Sequence, residues 1–227
     1  MTQVLDELVG RQFRRWESAR RSAGVEPTRP CVALSRLPSA GAEELGERVA
    51  DRLGYAFFGI EIVDHIARRA GLHPLLVAGV DEHVRSAIER YVVDATRRER
   101  FTESDYLRHL VRTIASLGER GGAVILGRGA QFILPPERAL RVLVVAPREA
   151  RLERLMKQER LGRAEADARL AALDRERRTF LLHHFRRDPD APEHYDLVVN
   201  LGTYSQEAAV ELVQSALRAR FGPAHRA

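Results

Sequence analysis

The stretch that decides the fold is residues 31–53, CVALSRLPSAGAEELGERVADRL. Residues 31–34 form a short apolar run typical of a buried strand, and residues 35–41 are rich in the Ser, Pro and Gly of loops. From Ala42 onward the apolar residues recur at helical spacing as far as Leu53. The pattern therefore predicts a strand, a loop and a helix in direct succession.

A loop that joins a strand to the start of a helix is a common place for phosphate groups to bind. The first N–H groups of a helix have no partner within it, and the helix dipole adds partial positive charge there. The full phosphate-loop motif is G-x-x-x-x-G-K-[ST], in which Lys contacts phosphate and Ser or Thr contacts magnesium. Here Gly41 is followed by Ala42, Glu43 and Glu44, so the lysine is missing. From the loop alone, an ordinary turn is the favoured interpretation.

The length of 227 residues and the hydrophobic fraction of 44% fit one α/β domain with a sizeable core. The single cysteine, Cys31, excludes an intramolecular disulfide and a cysteine-based zinc site. Its apolar neighbours predict a small buried side chain. The chain shows no signal peptide and no apolar run of membrane length, so we expect a cytoplasmic protein that does not bind membranes.

The formal net charge is +5, and Lys157 is the only lysine among 37 basic residues, so nearly all positive charge is arginine. Acidic residues are interspersed among the arginines rather than separated from them. This pattern disfavours a nucleic-acid-binding tail. It is compatible with solvated helix faces and equally with attraction for anionic ligands such as nucleotides.

The rest of the chain alternates between strand and helix patterns. Strands are predicted at 55–58, 123–126, 140–146 and 195–200, and helices at 3–22, 61–70, 74–95, 103–118, from 147, 163–185 and 205–221. This alternation argues for a parallel sheet covered by helices on both faces, with the strand at 31–34 in its centre.

Arginines stand out at two further places. Arg128 lies between two glycines where the strand 123–126 ends, and ligands of open α/β sheets bind at that end of the strands. A contact between Arg128 and a ligand is therefore favoured over a turn residue that faces solvent. The helix after Pro147 carries Arg148, Arg151, Arg154 and Lys157 at every third position, and a solvated face is favoured for most of them.

Several stretches together resemble the cytidylate kinase-like family of P-loop nucleoside monophosphate kinases, from about residue 31 to about residue 212. The residues that carry the resemblance are Ser35, Arg36, Gly41 and Glu44; 56–58; 124–130 with 132–134; 140–147 with Arg151; Asp174, Arg177 and Phe180; and Tyr195, Asp196, Asn200 and Ser205. Each motif is short, but their order and spacing together are fairly specific. The N-terminal helix lies outside the resemblance.

The resemblance implies a P-loop NTPase-like, three-layer α/β/α fold with a parallel sheet. It implies a helical insert at about 60–120, which would bind the monophosphate, and a lid at about 160–190. The chain would then consist of an N-terminal helix and linker (1–30), the kinase-like domain (31–222) and a tail (223–227).

The resemblance also implies phosphoryl transfer from ATP, with Mg²⁺, to a nucleoside monophosphate, a CMP-like acceptor being favoured. ATP would lie on the loop residues Ser35, Arg36, Ser39, Ala40, Gly41, Ala42, Glu43 and Glu44, and no side chain is assigned as a metal ligand. Arg128 would contact the acceptor phosphate, and the candidates for contacts during transfer are Arg151, Arg175 and Arg177. Arginines that converge on a phosphoryl group suit a reaction that depends on positioning and charge stabilisation.

The loop departs from the family pattern at Ser39, Ala40, Ala42 and Glu43, and Gly59 stands where relatives carry Asp. We expect Ser39 and Ala42 to crowd a bound phosphate and Glu43 to repel it. Three functions therefore stay open: an ATP-dependent nucleoside monophosphate kinase, a non-catalytic relative that binds nucleotide or a partner, and, well behind both, a nucleic-acid-associated module. The sequence does not indicate the oligomeric state.

Overall fold

The computed structural model describes residues 29–68 and 105–222, together with Glu7, Gly10, Arg11, Gln12 and Arg14 near the N-terminus. The predicted helix at 74–95 and the tail at 223–227 lie outside the described residues, as does most of the predicted helix at 3–22. Within that N-terminal segment, the side-chain Oε1 of Gln12 accepts a hydrogen bond of 3.3 Å from the backbone N–H of Phe57. This part of the segment therefore packs against the core.

The described part of the sheet consists of β1 (Cys31–Arg36), β2 (Ala56–Phe58), β3 (Ala123–Leu126), β4 (Ala139–Val145) and β5 (Leu197–Asn200). The strands lie in the order β2-β3-β1-β4-β5, and every neighbouring pair is parallel. The predicted parallel sheet with β1 in its centre is confirmed. The ends of β2, β4 and β5 differ from the predicted ones by one or two residues. The end of β1 differs as well, because β1 pairs with β4 as far as Arg36, which was predicted to lie in the loop.

The described helices are α1 (Ala42–Leu53), α2 (Ile60–Arg68), α3 (Asp105–Arg120), α4 (Ala130–Ile133), α5 (Arg148–Glu159), α6 (Arg163–Phe185) and α7 (Gln206–Phe221), with a 3-10 turn at Pro192–His194. The Oγ of Ser205 accepts a hydrogen bond of 3.2 Å from Ala208 N–H, so Ser205 caps α7 as predicted. The short helix α4 was not predicted, because the segment after Arg128 was read as a loop.

Alternate residues of β1 contribute to two cores, one on each face of the sheet. Cys31 and Ala33 belong to a core that includes residues of α2 and α3. Val32 and Leu34 belong to a second core that includes residues of α1 and α7. The helices thus cover both faces. Cys31 is fully buried, and burial raises the pKa of its thiol to about 12, so it packs as a small apolar residue. No helix in the described part of the chain is long and apolar enough to span a bilayer.

Gly129 provides a test of the packing between the end of β3 and α6. Its φ is 75°, and a Cβ added there would lie 2.2 Å from the ring of Phe185. We expect Gly129→Ala to lower the free energy of unfolding by about 2–4 kcal/mol, because backbone strain and overpacking act together. Urea unfolding of parent and variant measures this difference.

Gly54→Ala is the matched control, because Gly54 has a φ of 62° but a Cβ there would meet nothing within 4 Å. Only the strain of the left-handed backbone conformation applies, so we expect the free energy of unfolding to fall by about 1 kcal/mol. Equal losses in the two variants would show that the approach of Phe185 to Gly129 has no energetic consequence.

Candidate functional site

A cavity of about 440 Å³ lies where β1 and β3 end, beside α6. Its lining residues come from the end of β1 and the loop after it, from the turn after β3, and from α6: Ser35, Arg36, Pro38, Ser39, Ile60, Gly127, Arg128, Gly129, Gln131, Leu173, Glu176, Arg177, Phe180 and Leu181. This is the edge of a parallel sheet at which ligands bind. The sheet topology therefore brings together arginines that are far apart in sequence.

Arg36, the last residue of β1, has no ion-pair partner among the carboxylates that the structure describes. Burial, together with the positive charges of Arg177 and Arg128, lowers the pKa of Arg36 to about 10, and the charge of Glu43 partly offsets this. The guanidinium is still protonated at neutral pH. A cation that is removed from water without a counter-ion destabilises the fold until an anion approaches it. Arg36 therefore indicates an anion-binding site.

Arg128 is held in place by an aspartate from α2. Its Nε donates to Asp64 Oδ1 at 2.6 Å, and a terminal nitrogen donates to Asp64 Oδ2. The hydroxyl of Tyr106 donates to Asp64 Oδ1 at 2.7 Å, and the Phe180 ring centroid lies 5.1 Å from the Arg128 guanidinium. Burial favours the neutral form, but the bonds to Asp64 outweigh it and raise the pKa of Arg128. Arg128 thus presents a fixed, charged fork to the cavity.

Arg177 reaches the cavity from α6, and only 7% of its side chain is exposed. Its Nη1 donates to Asp190 at 2.7 Å, and its Nη2 lies 3.4 Å from the Oγ of Ser35. The hydroxyl of Tyr195 lies 3.3 Å from the same Oγ and donates to the backbone carbonyl of Pro189 at 2.7 Å. These contacts join α6 and the segment that precedes β5 to the end of β1.

Arg151 is buried between α5, α6 and the loop after β1. Its Nη1 donates to Asp174 at 2.8 Å and to the backbone carbonyl of Pro38 at 3.3 Å. Arg154 donates to the carbonyl of Ser39 at 2.9 Å. The solvated face expected for most of the basic row on α5 holds for Arg148 and Lys157, which are exposed, but not for these two arginines.

Arg175 does not line the cavity. It is exposed on α6 and lines a separate groove with Thr179 and His183. The structure therefore brings Arg128 and Arg177 to the cavity, places Arg151 against the loop, and leaves Arg175 on another surface. The role of Arg175 in phosphoryl transfer stays a prediction.

The loop after β1 leaves backbone N–H groups without acceptors at the start of α1. Ala40 N–H donates to Leu37 at 3.1 Å, whereas the N–H groups of Ser39, Gly41 and Ala42 donate to no acceptor among the described residues. The 12-residue helix α1 adds its dipole at the same point. The methyl group of Ala42 belongs to the core on the α1 face and does not line the cavity, so the crowding expected from Ala42 is absent.

Glu43 and Glu44 are exposed in the first turn of α1 and do not line the cavity. Glu44 pairs with Arg48 at 2.9 Å. Oε1 of Glu43 lies 3.7 Å from the point that a Cβ at Gly59 would occupy. The carboxylate of Glu43 is thus directed towards the start of α2, where its charge favours the protonated form of Arg36.

The described residues fit a phosphate group better than a bare metal ion. The carboxylates of Asp64, Asp174 and Asp190 are each paired with an arginine. Across 29–68 and 105–222, no group of three or more His, Cys, Asp or Glu side chains is placed to hold a metal. The free N–H groups and Arg36 are suited to phosphate oxygens, and Mg²⁺ commonly binds through phosphates with few protein ligands.

These features define an α/β protein with a parallel five-stranded sheet in its described part and an arginine-lined cavity at the carboxyl ends of the strands. Residues 31–203, well over half of the chain, match the sequence profile of the Cytidylate kinase-like family. The chain belongs to this family.

Two solved structures align with most of this chain, and the first of them shows the likeness of fold. An uncharacterized protein from Eubacterium ventriosum aligns with a TM-score of 0.65 and 14% identity, covering 85% of this chain and 100% of that one. A shikimate kinase from Bacteroides thetaiotaomicron aligns with a TM-score of 0.47 and 14% identity, covering 83% and 98%. Among curated proteins, a uronate isomerase from Corynebacterium glutamicum is 36% identical over 93 residues, which are 40% of this chain. The chain spans only 18% of that protein's length.

The sequence interpretation assigned no role to the carboxylates and hydroxyls that hold the arginines, although Asp174 and Tyr195 are among the residues that carry the family resemblance. The sequence could have indicated Asp64 as a partly buried acidic residue, because it lies beside the apolar stripe of α2 formed by Val63 and Ala67. No sequence pattern indicated Tyr106 or Asp190, because their partners Asp64 and Arg177 are 42 and 13 residues away in the chain.

Arg36 is the residue whose replacement tests the charge imbalance of the cavity. We expect Arg36→Gln to stabilise the ligand-free protein at pH 7.5 by about 1–3 kcal/mol. The lowered pKa sets the sign: below pH about 10 the charged group destabilises the fold, and deprotonation at higher pH removes this penalty. Urea unfolding with and without ATP measures the effect, and ATP should stabilise the parent but not the variant.

Arg52→Gln serves as the control, because Arg52 is 46% exposed and pairs with Glu207 on the surface. It should change stability by less than about 1 kcal/mol and preserve the response to ATP. An Arg36→Gln protein that is less stable than the parent and is still stabilised by ATP would exclude the anion site at Arg36.

Proposed function

We propose that this protein is an ATP-dependent phosphotransferase that acts on a nucleoside monophosphate, with a CMP-like acceptor favoured. One observation carries the proposal: Arg36, Arg128 and Arg177 line one cavity, and Arg36 lacks a carboxylate partner in the described part of the chain. Membership of the Cytidylate kinase-like family supports a kinase-type activity.

Different residues of the cavity suit the donor nucleotide and the acceptor nucleotide. The free N–H groups at the start of α1, with Arg36, suit the phosphates of the donor nucleotide. Arg128, on the turn after β3, suits the phosphate of the acceptor. Arg177 projects from α6 and would stabilise charge on the phosphoryl group between them. Magnesium, when bound with ATP, would neutralise charge on the phosphates.

Asp64 orients Arg128 for this role. Its carboxylate holds the Nε side of the guanidinium, while 28% of the Arg128 side chain stays exposed. The apolar residues Phe180 and Leu181 line the same cavity and would exclude water from the transferring group. Such a site positions its substrates rather than reacting with them covalently, which suits phosphoryl transfer.

A second candidate function is nucleotide binding without turnover. The loop lacks the motif lysine, and the α5 cations Arg151 and Arg154 already bind loop carbonyls instead of facing the cavity. This arrangement would retain a nucleotide while providing fewer cations for the transition state.

A coupled ADP-release assay with ATP, Mg²⁺ and CMP, dCMP, UMP, AMP or GMP distinguishes the two functions. We expect ADP release that depends on one of the monophosphates, at a turnover within about 1–100 per second. Nucleotide binding by calorimetry without ADP release would favour the second candidate. Absence of both binding and ADP release would contradict both candidates.

Arg128→Ala tests the assignment of the acceptor side. We expect the variant to bind the monophosphate about 10–150-fold more weakly, which corresponds to about 1.5–3 kcal/mol for a charge-assisted hydrogen bond. Affinity for ATP should change much less. Calorimetry measures both affinities, and a thermal melt checks that the unpaired Asp64 has not unfolded the protein.

Arg169→Ala is the control on α6, because Arg169 is 45% exposed and pairs with Glu159 on the surface. It should bind both nucleotides as the parent does. If folded Arg128→Ala retains full affinity for the monophosphate, Arg128 is a turn residue without a role in binding.

A further inference from the structure

We propose that Arg154 and Gln206 are positioning residues that hold the loop after β1 in an anion-binding conformation. The loop's own sequence, with few glycines, does not favour this conformation. The proposal rests on the proposed function only in taking the loop's ligand to be the phosphate chain of a nucleotide.

The loop contains a strained residue at Ser39. Its φ is 57°, in the left-handed region that side chains other than those of Gly, Asn and Asp seldom adopt. Such a conformation costs about 1–2 kcal/mol and persists only where surrounding contacts enforce it. The contacts that enforce it should therefore lie close to Ser39.

Side chains from α5 and α7 bind the loop carbonyls. Nη1 of Arg154 donates to the carbonyl of Ser39 at 2.9 Å, and Nε2 of Gln206 donates to the carbonyl of Gly41 at 3.1 Å. Both bonds join residues more than 100 positions apart in the chain. We call Arg154 and Gln206 the carbonyl clamp. Arg151 adds a longer bond of 3.3 Å to the carbonyl of Pro38.

Each held carbonyl fixes the direction of the next N–H group, and Arg154 in this way fixes the peptide between Ser39 and Ala40, whose N–H donates to Leu37 at 3.1 Å. In a planar trans peptide the C=O and the N–H of the next residue point in opposite directions. The carbonyl of Gly41 accepts hydrogen bonds from Gln206 at 3.1 Å and from Leu45 N–H in the first turn of α1 at 3.3 Å, and together they direct the N–H of Ala42 away from α7. Arg151 directs the N–H of Ser39 in the same way through the carbonyl of Pro38. These are two of the N–H groups that lack an acceptor among the described residues.

Gly41 is adapted to the clamp. A Cβ at Gly41 would lie 3.0 Å from the Arg154 guanidinium, and its φ is 89°. The backbone conformation favours glycine at position 41, and a Cβ there would also crowd the guanidinium of Arg154. A loop with glycine at position 39 would adopt the same backbone conformation with fewer hydrogen bonds from neighbouring side chains.

The test compares Arg154→Met and Gln206→Ala with the parent, using inorganic tripolyphosphate in calorimetry. We expect each variant to bind tripolyphosphate about 5–20-fold more weakly. Hydrogen exchange of the peptide covering residues 35–45, followed by mass spectrometry without ligand, should be faster in both variants. Arg148→Met is the control on the same helix, since Arg148 is exposed and pairs with Asp167, and it should match the parent.

Rescue separates positioning from charge. We expect Ser39→Gly to restore both tripolyphosphate affinity and slow exchange when combined with Arg154→Met, because glycine adopts the left-handed conformation without help. The proposal is overturned if Arg154→Lys keeps full affinity while Ser39→Gly rescues nothing, since charge alone would then explain Arg154. It is also overturned if exchange does not change in the clamp variants, or if the parent binds no tripolyphosphate. A parent that binds tripolyphosphate but transfers no phosphoryl group contradicts the proposed kinase and leaves the clamp supported.

Discussion

The charge balance of one cavity is the constraint on which the rest of the site depends. Asp64, Asp174 and Asp190 neutralise Arg128, Arg151 and Arg177, and none of the described carboxylates pairs with Arg36. A structural network of ion pairs would leave no such excess, because an unpaired buried cation opposes folding. The depressed pKa of Arg36 is the electrostatic consequence, since burial and two neighbouring guanidinium groups disfavour its charge. The excess has a function only if an anion enters the cavity, and a phosphate group meets that requirement.

The fold holds Arg36 and the neighbouring arginines in fixed positions around the cavity. The central strand β1 lies between β3 and β4, and it pairs with β3 as far as Leu34 and with β4 as far as Arg36, so the backbone of Arg36 is held from the β4 side. The turn after β3 presents Arg128, and α6 brings Arg177 across the end of the sheet. The carbonyls of the loop between β1 and α1 are held by side chains from α5 and α7. Preorganisation of this kind is what a reaction based on positioning and electrostatics requires.

The sequence predicted the sheet and most described helices because their signals are local. Apolar runs at 123–126 and helical periodicity over 163–185 suffice to place β3 and α6, and a central β1 follows from its burial. The site was only partly predictable, because it depends on partners that are distant in the chain. The pairing of Arg128 with Asp64, 64 residues away, has no periodic signature. The exposure of Arg175 beside the nearly buried Arg177 depends on how α6 is rotated, which sequence spacing alone did not resolve. The effect of Ala42 was misjudged, because a methyl group at the start of a helix can face the core instead of the ligand.

The most direct test of the central claim is a crystal structure with a bisubstrate analogue in which adenosine and cytidine are joined by five phosphates. The account predicts phosphate oxygens within hydrogen-bond distance of the guanidinium groups of Arg36 and Arg128. The N–H groups of Ser39 and Ala42 should contact the phosphates nearest adenosine. An analogue bound elsewhere on the protein, with no phosphate near Arg36, would contradict the claim that this cavity is the phosphate-binding site.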